Sequence, residues 1–460
     1  MHSNLFNFSK ILLFIAPFSL VIVSTSTLFP FIVGKYTFFK IVIELALISF
    51  ILGIGFSSNK LDLKKLLFDW FKSPLVIAVT AFVFLFTLSG FTGVNPSASF
   101  WSNFERGEGS FLMLHFYVYF ILLLALFSNE KDWRHIFRLS IISGIFVMFY
   151  GILGAMNVRG VVGNDICDRF AGSLGNPAYI GTLSIFLLFY VMYFIASGNW
   201  KSKNWKTIIL PFLILLVLFF FAFLTLSQTR GGFLGLGAGT ILGMFYMSFS
   251  LPKHKWRIYA FLMALGLVGL GLSGIYFRQH INLAPWCGAG ANRILDVSIS
   301  GATINTRFAL WGQAIEAWKE RPIFGWGPEN FSIAFEKYYN PVHTVWFDRA
   351  HNIFFDYLVF SGIMGLSAFV GIFAVLYFQF FKKHWKNKFE INDKHHVVDH
   401  KKYGSISDLS DLQLSIVRAL IFAVPIAYLV QGIVLFDVLP IYINLFLFLA
   451  FVEWKLNQGK

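Results

Sequence analysis

The chain has 460 residues, of which 57% are hydrophobic, 19% aromatic and only 13% charged. A soluble protein of this length carries about twice that share of charge, so a set of water-coated domains is excluded, and the mean hydropathy of +0.69 agrees. Two cysteines exclude a disulfide scaffold. The net charge of +14 sits in short gaps between apolar runs rather than on one soluble face, which argues against a nucleic-acid surface.

Twelve apolar runs are long enough to cross a hydrocarbon core, which takes roughly 20 helical residues. In chain order they cover 11–33, 37–56, 74–90, 110–128, 136–155, 177–197, 207–226, 231–251, 258–276, 352–381, 413–435 and 438–454. The first lacks a strongly basic leader and a small-residue cleavage site, so it reads as a span rather than a signal peptide. The expected fold is an all-α polytopic membrane protein with about 12 transmembrane helices. A nine-span bundle over 1–276, a long extracytoplasmic loop over 277–351 and a three-span bundle over 352–460 form one integrated membrane domain.

Lys and Arg set the orientation. With the N-terminus inside, 23 of the 37 basic residues fall in cytoplasmic segments, including Lys60, Lys64, Lys131, Arg134, Lys201, Lys253 and the Lys-rich stretch 382–402. Thirteen fall outside or at the outer edge, and Arg418 lies within a span. Both termini are then cytoplasmic, and the expected location is the cytoplasmic (inner) membrane. The Lys-rich insertion at 382–412 reads as a solvated loop attracted to anionic lipid.

The outer set also differs in kind. Nine of its thirteen basic residues are Arg, against three of 23 inside. Topology rules treat Lys and Arg alike. The planar guanidinium, however, binds phosphate oxygens bidentately and keeps its charge when partly desolvated, so an Arg-rich outer face points to a phosphorylated ligand. Within the long outer segment, residues 304–321 read as an amphipathic helix ended by Pro322 and the Gly325/Gly327 turn. Arg307, Trp311, Ile315 and Trp318 share one of its faces. Cys167 and Cys287 both fall outside, where an oxidising compartment permits a disulfide.

Three outward segments carry the remaining signal: Arg169-Phe-Ala-Gly-Ser-Leu-Gly-Asn-Pro-Ala-Tyr179, the tight turn Leu226-Ser-Gln-Thr-Arg-Gly-Gly232, and Trp346-Phe-Asp-Arg-Ala-His-Asn352 followed after nine residues by Gly362-Ile-Met-Gly365. With Arg307, Trp311, Pro322, Gly325-Trp-Gly and Ala350-His-Asn in order, the chain resembles the O-antigen ligase and polymerase-like membrane glycosyltransferases. The resemblance runs from about Gly93–Gly109 to Leu366. His-Asn, nine residues, then Gly-x-x-Gly is similar to the signature of O-antigen ligases and general O-linked protein glycosylases.

That resemblance implies transfer of a preassembled glycan from an undecaprenyl-diphosphate carrier to a lipid, glycan or protein hydroxyl on the extracytoplasmic face. It implies His351 as the catalytic histidine, with Arg230 and Arg307 on the diphosphate and Arg169 and Arg293 as further candidates. Trp311, Asp348, Arg349 and Asn352 are expected to line the substrate, and Asp348 to orient the imidazole or raise its basicity. The chemistry is coherent: arginines neutralise a diphosphate leaving group, and histidine suits general-base work. No Asp-x-Asp pair is present to hold a divalent ion, so metal independence and no cofactor are expected. Direct displacement inverts the anomeric carbon. A polysaccharide polymerase and a protein O-oligosaccharyltransferase remain open within this chemistry. A lipid-linked glycan transporter is disfavoured, because only Glu44 and Arg418 sit clearly inside spans, away from their ends, and no convincing internal repeat is found.

Overall fold

The computed structural model describes residues 2–57, 70–103, 105–163, 166, 169–277, 302–394 and 406–458. Among the described residues, eleven helices are long and apolar enough to cross a membrane, and Ser110–Leu126 is a shorter apolar one. At 1.5 Å per residue, its 17 residues still extend about 25 Å. The protein is an all-α, multi-pass membrane protein.

The helices are α1 His2–Ile15, prolonged by a 3₁₀ turn Ala16–Val21, α2 Val33–Gly55, α3 Pro74–Thr92, the short α4 Pro96–Trp101, α5 Ser110–Leu126, α6 Glu130–Ala155 and α7 Pro177–Ala196. They continue with α8 Leu210–Leu226, α9 Arg230–Ser250, α10 His254–Phe277, α11 Ala302–Glu320, α12 Phe331–Lys337, α13 Ile353–Lys394, α14 Ile406–Gly432 and α15 Leu439–Asn457. The expected first span at 11–33 is displaced: the crossing helix covers Ser3–Val21. The chain turns after it, with Ser24 N donating to Pro30 O at 2.9 Å and Thr27 N to Ser24 O at 3.0 Å. Polar Ser24–Thr27 and Pro30 cannot continue a helix there, although neighbouring apolar residues mask them in a hydropathy average.

The helices alternate in direction. At one end Ser173 donates to Leu20 O, Val94 N to Trp326 O and Leu439 N to Glu108. At the other end Gln413 meets Gly198 O, Ser415 meets Ser250 O, Gln379 meets Ser73 and Lys383 meets Lys455 O. The starts of α1 and the end of α15 share this second end. The first end, from which residues 302–351 project, is called the loop end below.

α7 and α15 form the centre and are buried along nearly their whole length. α9 packs on α14 through Gly231, Gly235, Gly239 and Gly243, a stripe at four-residue spacing. A Cβ at Gly235 would lie 2.4 Å from Ala427 O, so only glycine lets the backbones meet this closely. This contact fixes where α9 begins, and α9 begins with Arg230.

Candidate active site

The last turn before α13 carries His351, and every neighbouring group is tied down. Asn352 caps α13, its Oδ1 accepting from Phe354 N at 2.9 Å and Phe355 N at 3.3 Å. Asp356, in the first turn, accepts from Ala350 N at 2.7 Å. The indole of Trp311 donates to Ala350 O at 3.1 Å and stacks on Phe355 with ring centroids 5.5 Å apart. Both polar groups of the Ala350 backbone are therefore held, and His351 follows with φ of 53°, a left-handed conformation that neighbouring anchors must maintain.

Arg349 is 3% exposed and turns inward. Its guanidinium joins Glu108 at 3.0 Å and Glu329, and Ser102 donates to the second Glu329 oxygen at 2.7 Å. Arg106 grips Asp348 with both nitrogens, Nε to Oδ2 at 2.6 Å and Nη2 to Oδ1 at 2.9 Å. Burial, helped by Glu329 and opposed by Arg349, pushes the Glu108 carboxyl up to about 8. Hydrogen bonding and charge from Arg106 and Arg349 outweigh burial at Asp348 and hold it below its ordinary value.

These bonds place four expected substrate-lining residues differently from one another. Asn352 is 4% exposed and committed to its helix cap, and Arg349 to its two glutamates. Asp348 gives both oxygens to Arg106, so its influence on His351 is through charge and not through a hydrogen bond. Trp311 is half-buried, and its N–H serves the loop.

The His351 ring lies between Phe347, at 5.5 Å, and Phe436, at 5.0 Å. Among the described residues neither ring nitrogen has a hydrogen-bond partner. Burial first, then the charge of Arg307, lowers its pKa to about 4, with Asp348 opposing. The resting imidazole is neutral at neutral pH and free to accept a proton.

Arg307 stands on α11, one turn before Trp311, half-buried. Burial and the charge of Arg230 both push its pKa down, so the two guanidiniums are near enough to repel. Arg230 opens α9 after Thr229, whose hydroxyl ties the turn to Pro177 O at 3.0 Å. Arg169, also left-handed at φ 57°, precedes Phe170, whose N–H donates to Leu226 O at 3.0 Å. The Arg169 segment is thereby docked beside the turn that delivers Arg230. Arg293, Cys167 and Cys287 lie outside the described residues.

The Gly-x-x-Gly spacing has a backbone cause. α13 breaks at Ser361 and Gly362, the latter with φ of 60°. Into the break fits the turn Pro322–Gly327: Trp326 N donates to Val359 O at 2.7 Å, Gly327 N to Phe360 O at 2.9 Å and Ile363 N to Pro322 O at 2.9 Å. This joint carries α11, and with it Arg307, to the His351 loop.

Arg106, Glu108, Glu329 and Phe436 were not singled out from the sequence as site residues. Their available signal was Glu105-Arg106-Gly-Glu108, charges of both signs in a short loop beside an apolar run. Phe436 carried none. Its ring nonetheless meets His351 and lies under Arg106 at 5.2 Å.

A general O-oligosaccharyltransferase of Acinetobacter baylyi is 30% identical over 142 residues, 30% of this chain; the match spans 24% of that relative, about a quarter of its length. An uncharacterised protein of Haemophilus influenzae is 22% identical over 339 residues, covering 67% of this chain and 79% of its own. The O-antigen ligase family model matches residues 215–370, the stretch that holds Arg230, Arg307, Trp311, His351 and the Gly362 break. Over residues 215–370 the chain thus carries the domain of the O-antigen ligase family.

Proposed function

We propose that the protein transfers a glycan from an undecaprenyl-diphosphate carrier to an acceptor hydroxyl at the loop end, which faces away from the cytoplasm. The observation that carries this reading is the convergence of Arg230 and Arg307 on each other and of Arg307 on a neutral histidine. Two partly buried like charges repel, and an anion bound between them is attracted to both. Arginine forks match phosphate oxygens, and neutralising the diphosphate makes it a better leaving group.

His351 takes the proton of the acceptor hydroxyl as that oxygen attacks the anomeric carbon. The C1–O bond to the diphosphate breaks, its electron pair leaves with the phosphate, and the anomeric configuration inverts. The charge of Arg307 depresses the resting imidazole, so a bound diphosphate offsets that charge and raises the basicity of His351. The base strengthens when the donor is in place. Arg106, Arg349, Asp356, Asn352 and Trp311 position the loop.

Ligase chemistry is preferred over polymerase and protein glycosylase because the matched model is that of O-antigen ligases and its span holds Arg230, Arg307 and His351. Deletion of the gene, followed by analysis of lipid-linked glycans, tests the choice. A ladder of unligated polymer on its carrier is the expected result. Single repeats on the carrier would mark a polymerase, unmodified protein acceptors a protein glycosylase, and glycan retained on the inner leaflet a transporter.

A further inference from the structure

Lys35, in the first turn of α2 at the loop end, is 2% exposed. An ammonium has three N–H donors, and that of Lys35 donates to Ile22 O. Among the described residues no carboxylate pairs with it. A buried, unpaired cation is costly unless something else meets it. What it does meet is a cavity, lined by Phe31, Tyr36, Leu174, Tyr179, Arg106 and Glu108, whose carboxyl is held by Arg349 and Leu439 N, and floored by the start of α15 at Val438.

Two features make this a ligand space. Arg106, in its wall, is already satisfied by Asp348 and by the Tyr179 hydroxyl at 3.4 Å, which leaves Lys35 as the cation with spare donors. The Arg169–Tyr179 segment, the outward motif whose middle the transfer chemistry does not use, supplies Leu174 and Tyr179 to the wall. Its Gly175, at φ 72°, lies so close to Phe31 that a Cβ would approach that ring to 2.5 Å. One layer of side chains separates the cavity from the site: Arg106 lies over Phe436, and Phe436 meets His351.

We infer that the cavity at Lys35 binds an anionic group, a phosphate or carboxylate. On the transfer reading, on which this placement rests, the acceptor bears that group and its hydroxyl reaches His351 on the side of Arg106, away from Arg230 and Arg307. Mostly apolar walls strengthen a charge-assisted hydrogen bond there.

The test uses the full chain in zwitterionic nanodiscs and inorganic phosphate as the probe, at constant ionic strength. An Arg230→Ala/Arg307→Ala background removes the diphosphate clamp. In it, phosphate still raises the unfolding temperature saturably. Adding Lys35→Met weakens that effect about 10- to 100-fold, the range of a lost charged hydrogen bond. Lys35→Gln, which keeps a donor for Ile22 O, guards against misfolding and gives the same loss. Anionic-lipid nanodiscs identify the source of the group: competition by the lipid marks a headgroup, and its absence a water-side acceptor. No saturable phosphate effect in the double variant, or one untouched by both Lys35 variants, overturns the proposal. Phosphate binding by a wild-type chain that transfers no glycan would instead defeat the transfer reading alone.

Discussion

At the residue scale, the working feature is a set of charges held where they are least comfortable. Arg230 and Arg307 repel, and His351 is kept neutral beside them. If their forks grip a diphosphate, charge alone is insufficient. Arg230→Lys and Arg307→Lys should each slow transfer nearly as much as the alanine variants, about 100- to 1,000-fold. Initial rates on a defined lipid-linked donor measure this, and wild-type rates in both lysine variants would reduce the arginines to surface charge. The pH profile follows with its sign. His351 acts unprotonated, so activity falls as pH drops through its pKa, about 4 in the free protein. The acid limb of kcat/KM for donor therefore lies near pH 4, and that of kcat lies higher because bound diphosphate offsets Arg307. Arg307→Met should move the free-protein limb toward the ordinary imidazole value near 6.5. A wild-type limb already at 6.5, unmoved by that variant, would remove the electrostatic coupling.

At the scale of elements, the joint between α13 and the Pro322–Gly327 turn decides whether Arg307 and His351 meet. Gly362 is left-handed, and a Cβ there would lie 2.3 Å from the Ile323 carbonyl oxygen. Gly362→Ala should cost about 1–2 kcal/mol for the backbone alone and more for the clash. At Gly365 the obstacles are the hydroxyl and the Cβ of Ser361, so alanine there shifts the break itself, but without the left-handed penalty that Gly362 carries. Gly365→Ala should accordingly be the milder change. Thermal unfolding in detergent ranks the two, and equal stabilities would contradict the joint. The spacing of these glycines was legible in the sequence, and so were α11 and its Arg307–Trp311 face. The buried stripe of α11 proved to be Leu310, Ala314 and Ala317, with Arg307 and Trp311 on its flank.

At the scale of the molecule, spans were legible because lipid demands long apolar runs, and the stretches around Arg230 and His351 because their residue order is local. The ion pairs of the site were not. Arg106 and Asp348 are 242 residues apart, and Glu108 and Arg349 are 241 apart. No periodicity reports such meetings; packing of α3, α5 and α13 creates them. Nor did spacing reveal the cap that Asn352 makes, since a cap and a substrate contact both need a polar residue before an apolar run. The alternation of helix ends makes a topological prediction. With Cys167 and Cys287 replaced by serine, Val342→Cys should react with a membrane-impermeant thiol reagent added to intact cells, and Lys203→Cys only after lysis. The reverse pattern would turn the molecule over.

The most direct measurement is single-turnover transfer by the full chain in proteoliposomes, with a lipid-diphosphate-linked donor and a hydroxyl acceptor, comparing wild type with His351→Ala. Donor binding and unfolding temperature should be unchanged while transfer falls about 100- to 10,000-fold. A stable His351→Ala protein that transfers glycan at the wild-type rate across neutral pH would contradict the assignment of His351 as the base.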